Sequence, residues 1–118
     1  MTTISFLEGA TGLALMTFPS FVSVILLGSS LTDPKGIVIA RVAGAALVSL
    51  AVACWFLRNY DRIPGFTYAL LFYNLASSGL LAHAGFQEDL IGIGLWPALA
   101  AHIGISAWIM RLLYGNKN

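Results

Sequence analysis

Four side chains in this sequence carry a charge or an amide into long apolar runs: Glu8, Arg41, Asn74 and His102. Ionisable groups are costly inside a bilayer, so where they occur they mark ion pairs, proton relays or ligand contacts. Arg41 follows Gly36 by five residues, about 7.5 Å along a helix. From that depth a guanidinium either snorkels to the headgroups or turns inward, paired with Glu88 or Asp89, to hold an anionic or polar ligand. Glu8 is expected near the opposite interface. There it reads as a surface ion pair with Arg58, Arg62 or Arg111, as a charge at a helix N-terminus, or as a proton-coupling carboxylate.

Asn74 and His102 lie deeper, about ten and about fourteen residues from the short turn between the last two apolar runs, so their depths differ by about one helical turn. Ser77 and Ser78 follow Asn74 at helical spacing and lengthen a polar strip. This strip is expected to face His102, as a structural hydrogen-bond network or as the floor of a small cavity.

Other chemistry is thinly provided. A haem gripped by both histidines of one chain fails on distance, because His83 falls near one end of its run and His102 well inside the next, roughly 20 Å apart along the axis. His83 with Glu88 and Asp89 offers nitrogen and oxygen donors for a shallow metal site, but no ligand-spacing motif supports one. There is no GxSxG, HExxH or P-loop. Cys54, the single cysteine, allows no internal disulfide and reads as a small core residue. Neither an enzymatic activity nor a metal or cofactor is expected.

These residues must be positioned by apolar helices. The chain is 118 residues long, 58% hydrophobic and 9% charged, against roughly a quarter charged in soluble domains. With a mean hydropathy of +0.86, the composition points to an integral membrane protein. A net charge of +1 supplies no basic field for nucleic acid. The expected architecture is all-α, a single domain of four transmembrane helices over about 6–27, 36–57, 66–84 and 89–113, each long enough to cross a hydrocarbon core of ~30 Å. The connections SSLTDPK, RNYDRIPG and GFQE are too short for an extramembrane domain, which puts function within or at the edge of the bilayer.

Four spans place both termini and the middle connection on one side. That side carries Arg58, Arg62, Arg111 and Lys117, and the other Lys35 and the embedded Arg41, so the positive-inside rule predicts cytoplasmic termini in a bacterial-type inner membrane. Trp55, Tyr60, Phe66, Trp108 and Tyr114 fall where aromatic anchors of that interface belong. The start MTTISFLE lacks a basic n-region, so the first helix is expected to be retained.

Helix association in lipid relies on small residues and interhelical hydrogen bonds. Gly36, Ala40 and Gly44 make one small-residue strip and Gly94, Ala98 and Ala101 another, serving bundle packing or contact with a partner. Pro19 and Pro97 are each expected to kink a span, freeing the carbonyls of Leu15 and Ile93.

The segments PSFVSVILLG, ARVAGAALVSLAVACWFLR, FYNLASSGLLAHAG and LWPALAAHIGISAW, with Arg41, Gly44, Trp55, Tyr73, Asn74, Trp96, Pro97 and His102, resemble small bacterial four-helix membrane proteins that have no assigned activity. The resemblance covers most of the chain and implies a four-helix bundle. Size alone invites comparison with the small multidrug-resistance transporters, but Glu8 stands too near the start of its run for the carboxylate those proteins keep well inside the first helix.

The expected function is therefore non-enzymatic, that of an accessory or structural subunit packing against other membrane subunits or copies of itself in the lipid bilayer. A homo-oligomeric transporter or channel with Arg41, Asn74 and His102 around a midplane cavity is the alternative. A protein binding a lipid or quinone through the third span and His102 is a further one.

Overall fold

Among the described residues, prolines open three of the five helices. The computed structural model describes residues 2–60 and 63–115, and within them the chain forms α1 (Thr2–Thr17), α2 (Pro19–Leu27), α3 (Pro34–Leu57), α4 (Pro64–Phe86) and α5 (Leu95–Tyr114), with no strand. Pro19, Pro34 and Pro64 each stand at a helix start, where a missing N–H removes no intrahelical bond. Asp33 adds a cap to α3, its carboxylate accepting from the Lys35 N–H at 3.3 Å. Arg62 and Lys117, on which part of the topology reading rests, lie outside the described residues.

Two compact units divide the chain: one holds α1, most of α2 and α3, and the other holds α4 and α5 together with Leu26–Gly28. In the first unit α1 and α3 run antiparallel. Ser5 donates to the Ala51 carbonyl at 2.8 Å, while Gly12, Leu15 and Met16 approach Gly44. Ile4, Glu8 and Gly12, four residues apart on α1, are buried, as are Gly44, Ala51 and Cys54 on α3. Phe6 meets Trp55 edge to face at 6.0 Å between ring centroids.

The expected first span, 6–27, is not one straight helix. α1 and α2 meet at Phe18 with a bend of 117°. Pro19 cannot donate to the Leu15 carbonyl and its ring crowds that turn, so the α1 ladder ends with Phe18 N–H on Ala14 and restarts with Val22 N–H on Phe18. The effect is a break where a kink was expected. Two serines of α2 then hold the following loop, Ser20 donating to Leu31 at 2.8 Å and Ser23 to Ser29 at 2.7 Å.

In the second unit α4 packs on α5. The expected fourth span, 89–113, begins later, at Leu95, because Asp89 adopts a left-handed φ of 52° and the stretch up to Gly94 is irregular, with a turn only at 93–94. That stretch is anchored by Leu90 N–H on Ala84 and Gly92 N–H on Leu26, both 3.0 Å. Pro97 consequently falls in the first turn of α5, and the expected kink with a freed Ile93 carbonyl does not form, since Ile93 precedes the helix. Of the expected small-residue strip, Gly94 and Ala98 are half-buried. Ala101 is exposed, and the buried line on α5 runs through Leu95, Ser106 and Ile109 with half-buried His102 between. At the turn, Phe86 and Trp96 stack at 5.2 Å, and Gly85 leaves the room that Leu95 and Trp96 fill.

Among the described residues, α3 and α5 are long and apolar enough to cross a membrane, and α1 with α2 adds a third crossing if the bent pair counts as one span. α4 has the length, with 23 residues, but Asn74, Ser77, Ser78 and His83 dilute its apolar character.

Candidate functional site

α4 and α5 bring Asn74 and His102 into direct contact. Asn74 is fully buried, and its Nδ2 donates to the Leu70 carbonyl one turn back at 2.9 Å. A carbonyl only accepts, so the amide orientation follows: Oδ1 faces the other way, 2.8 Å from His102 Nδ1. His102 Nδ1 therefore carries the hydrogen of that bond, and one imidazole tautomer is selected. The amide is thus engaged at both ends, one on its own helix and one across the interface.

Hydroxyls close off the surrounding carbonyls. Ser78 donates to the Asn74 carbonyl and Ser106 to the His102 carbonyl, both at 2.8 Å. Tyr73 sets its ring edge to face with the imidazole at 5.7 Å. Among the described residues, every buried side-chain nitrogen or oxygen has a hydrogen-bond partner. The cluster sits well inside the helices, since His102 follows Leu95 by seven residues, about 10 Å of rise.

The remaining expected site residues fall elsewhere. Ser77 is half-buried but adds no hydrogen bond to the cluster among the described residues. Arg41 is exposed on α3, in the first unit, whereas Asn74 and His102 belong to the second. Glu88 faces His83 instead, with 3.5 Å between carboxylate and Nε2, and both side chains are exposed. Asp89 spends its position on the left-handed turn. No group of three or more acidic, histidine or cysteine side chains among the described residues is arranged to hold a metal.

Glu8 does not lie at the surface, where one of the readings puts it. It is 4% exposed and faces the α1–α3 contact between Ile4 and Gly12. Arg58, one of its expected partners, lies over the Trp55 ring at 3.8 Å and donates to the Trp55 carbonyl at 2.5 Å. Of the small residues expected to pack α3, Gly44 is buried, while Gly36 and Ala40 are half-buried.

Spacing alone does not single out Tyr73 and Ser106 as members of the cluster. Ser106 carried a signal, since it stands four residues after His102 as Ser78 does after Asn74. Tyr73 carried none, because its place beside His102 depends on how α4 and α5 are rotated.

Fold and site together define, among the described residues, an all-α protein with candidate membrane-spanning helices and an asparagine–histidine pair locked between α4 and α5. Comparison of the chain with protein-family models, with curated proteins and with solved structures finds no match.

Proposed function

We propose that this chain is a non-enzymatic integral membrane protein, crossing the bilayer four times with both termini cytoplasmic, and that it serves as a structural or accessory subunit against other membrane subunits or further copies of itself. The carrying observation is how the deep polar groups are used. Asn74 is consumed by Leu70 and His102, the neighbouring serines by their own helices, and Arg41 is exposed, which supports a scaffold more than a polar transport path. Large apolar side chains cover the outward faces, including Val38, Ile39 and Val42 on α3 and Phe72, Leu80 and Phe86 on α4. Such faces suit lipid or a neighbouring helix.

Affinity isolation from the native membrane in mild detergent, followed by native mass spectrometry and an absorption spectrum, tests the reading. A stoichiometric larger complex, or a defined homo-oligomer inactive in flux assays, is expected. Substrate flux into proteoliposomes holding this chain alone would overturn it. The crossings are checked in a Cys54→Ala background by reactivity of single cysteines. Ser30→Cys and Gln87→Cys should label from one side, and Asn59→Cys and Gly115→Cys from the other.

A further inference from the structure

With Nδ1 bound to Asn74 Oδ1, the neutral imidazole of His102 keeps its lone pair on Nε2. Among the described residues Nε2 makes no hydrogen bond, and since no buried side-chain nitrogen there lacks a partner, this atom is reachable from outside the helix pair. It lies partway along α5, one of the helices apolar and long enough to span. At that depth little water is at hand to satisfy an acceptor, so a group that donates a hydrogen bond and is itself soluble in lipid gains there. Asn74 holds the ring in the accepting tautomer, and the Tyr73 ring fixes its plane from the side.

From this geometry we infer that His102 Nε2 is a recognition point for a lipid-soluble hydroxyl, supplied by a quinol-type phenol or by the free hydroxyl of a glycerolipid. Asn74 acts as the positioning residue by fixing the tautomer. The inference stands apart from the subunit reading, since a ligand can sit on a scaffold or on a carrier alike.

The test uses the full chain in nanodiscs of phosphatidylcholine, a lipid with no hydrogen-bond donor, carrying 15N-labelled histidine and His83→Gln so that His102 alone reports. In the probe-free protein Nδ1 is expected to bear a proton and Nε2 to show a lone-pair resonance. A decyl-substituted benzoquinol and a diacylglycerol are then titrated separately. A saturable upfield move of the Nε2 signal with either probe supports the inference and identifies the source. Folded His102→Phe should bind that probe at least tenfold more weakly. Asn74→Leu should bind it several-fold more weakly and show mixed tautomers, an effect that loss of packing alone would not produce. Nε2 unmoved by both probes, Nε2 already proton-bound without them, or unchanged affinity in folded His102→Phe would each overturn it. The titration itself depends on no substitution at His102 or Asn74, since His83 is exposed and outside the cluster.

Discussion

Gly12 and Gly44 meet backbone to backbone: a Cβ built on Gly44 would stand 2.6 Å from the Gly12 carbonyl oxygen, and one on Gly12 2.7 Å from the Gly44 carbonyl oxygen. The contact is reciprocal and rigid, because main chain rather than a flexible side chain occupies the space. Close approach of this kind lets dispersion and weak Cα–H contacts hold helices that lipid does not push together.

Replacing either glycine with leucine must therefore part α1 from α3 or bend them. Gly12→Leu and Gly44→Leu are each expected to cost about 1 to 3 kcal/mol, the range for overpacking. Gly79→Ala and Gly104→Ala, where nothing lies within 4 Å of the added methyl, should be neutral or gain up to about 1 kcal/mol through helix propensity. Thermal unfolding of the four variants in one detergent checks the contrast. Equal losses in both pairs would refute the packing assignment.

A second constraint lies where the residue after α2 meets the connection between α4 and α5. Gly28 has φ 79°, and a Cβ there would lie 2.7 Å from the Ile91 carbonyl oxygen. Gly28→Ala is expected to destabilise by about 1 to 3 kcal/mol, from left-handed strain and the clash together. Asp89, left-handed at φ 52° without being glycine, should accept Asp89→Gly within about 0.5 kcal/mol of wild type or better, while Asp89→Val loses over about 1 kcal/mol. Denaturation midpoints separate these outcomes, and a stabilised Asp89→Val would contradict the backbone argument.

The loop after α2 offers a test that does not depend on global unfolding. Ser20 and Ser23 hold the carbonyls of Leu31 and Ser29, so the double variant Ser20→Ala/Ser23→Ala should leave the helices intact yet release the loop. Limited proteolysis is expected to cut between residues 28 and 33 several-fold faster than in wild type. An unchanged cleavage rate would show that other contacts hold the loop.

How far the sequence foretold this depends on range. All-α character and the helices expected over 36–57 and 66–84, which the structure extends to 34–57 and 64–86, follow from long apolar runs, a local signal. From sequence Pro19 reads as a kink, because its local effect is the loss of one hydrogen bond. The bend of 117° arises because α2 then gains Ser20 and Ser23 contacts to a loop beyond it, which no window of sequence contains. The late start of α5 turned on Asp89 entering the left-handed region, which few non-glycine residues do. Asn74 and His102 stood out because polar groups are rare in apolar runs. The burial of Glu8 did not, since only the rotation of α1 against α3 decides whether that face meets lipid headgroups or helix.

Rotation of α4 against α5 likewise decides whether Asn74 meets His102, and their bond can be tested directly. Asn74→Leu leaves the Nδ1–H of His102 without its acceptor, and His102→Leu leaves Asn74 Oδ1 without its donor, so each single change should cost about 1 to 2 kcal/mol in detergent. Replacing both removes donor and acceptor together. The double variant is then expected to lie closer to wild type than the sum of the singles, with a coupling of about 0.6 to 1.7 kcal/mol, from the average to the maximum for interhelical polar pairs in membranes. Ser77→Ala, a neighbour with no bond in the cluster, should change stability by less than about 0.5 kcal/mol. A double-mutant cycle on purified protein, read by reversible unfolding, measures all four terms. Strict additivity of the two single changes would mean the 2.8 Å contact contributes nothing to holding α4 on α5.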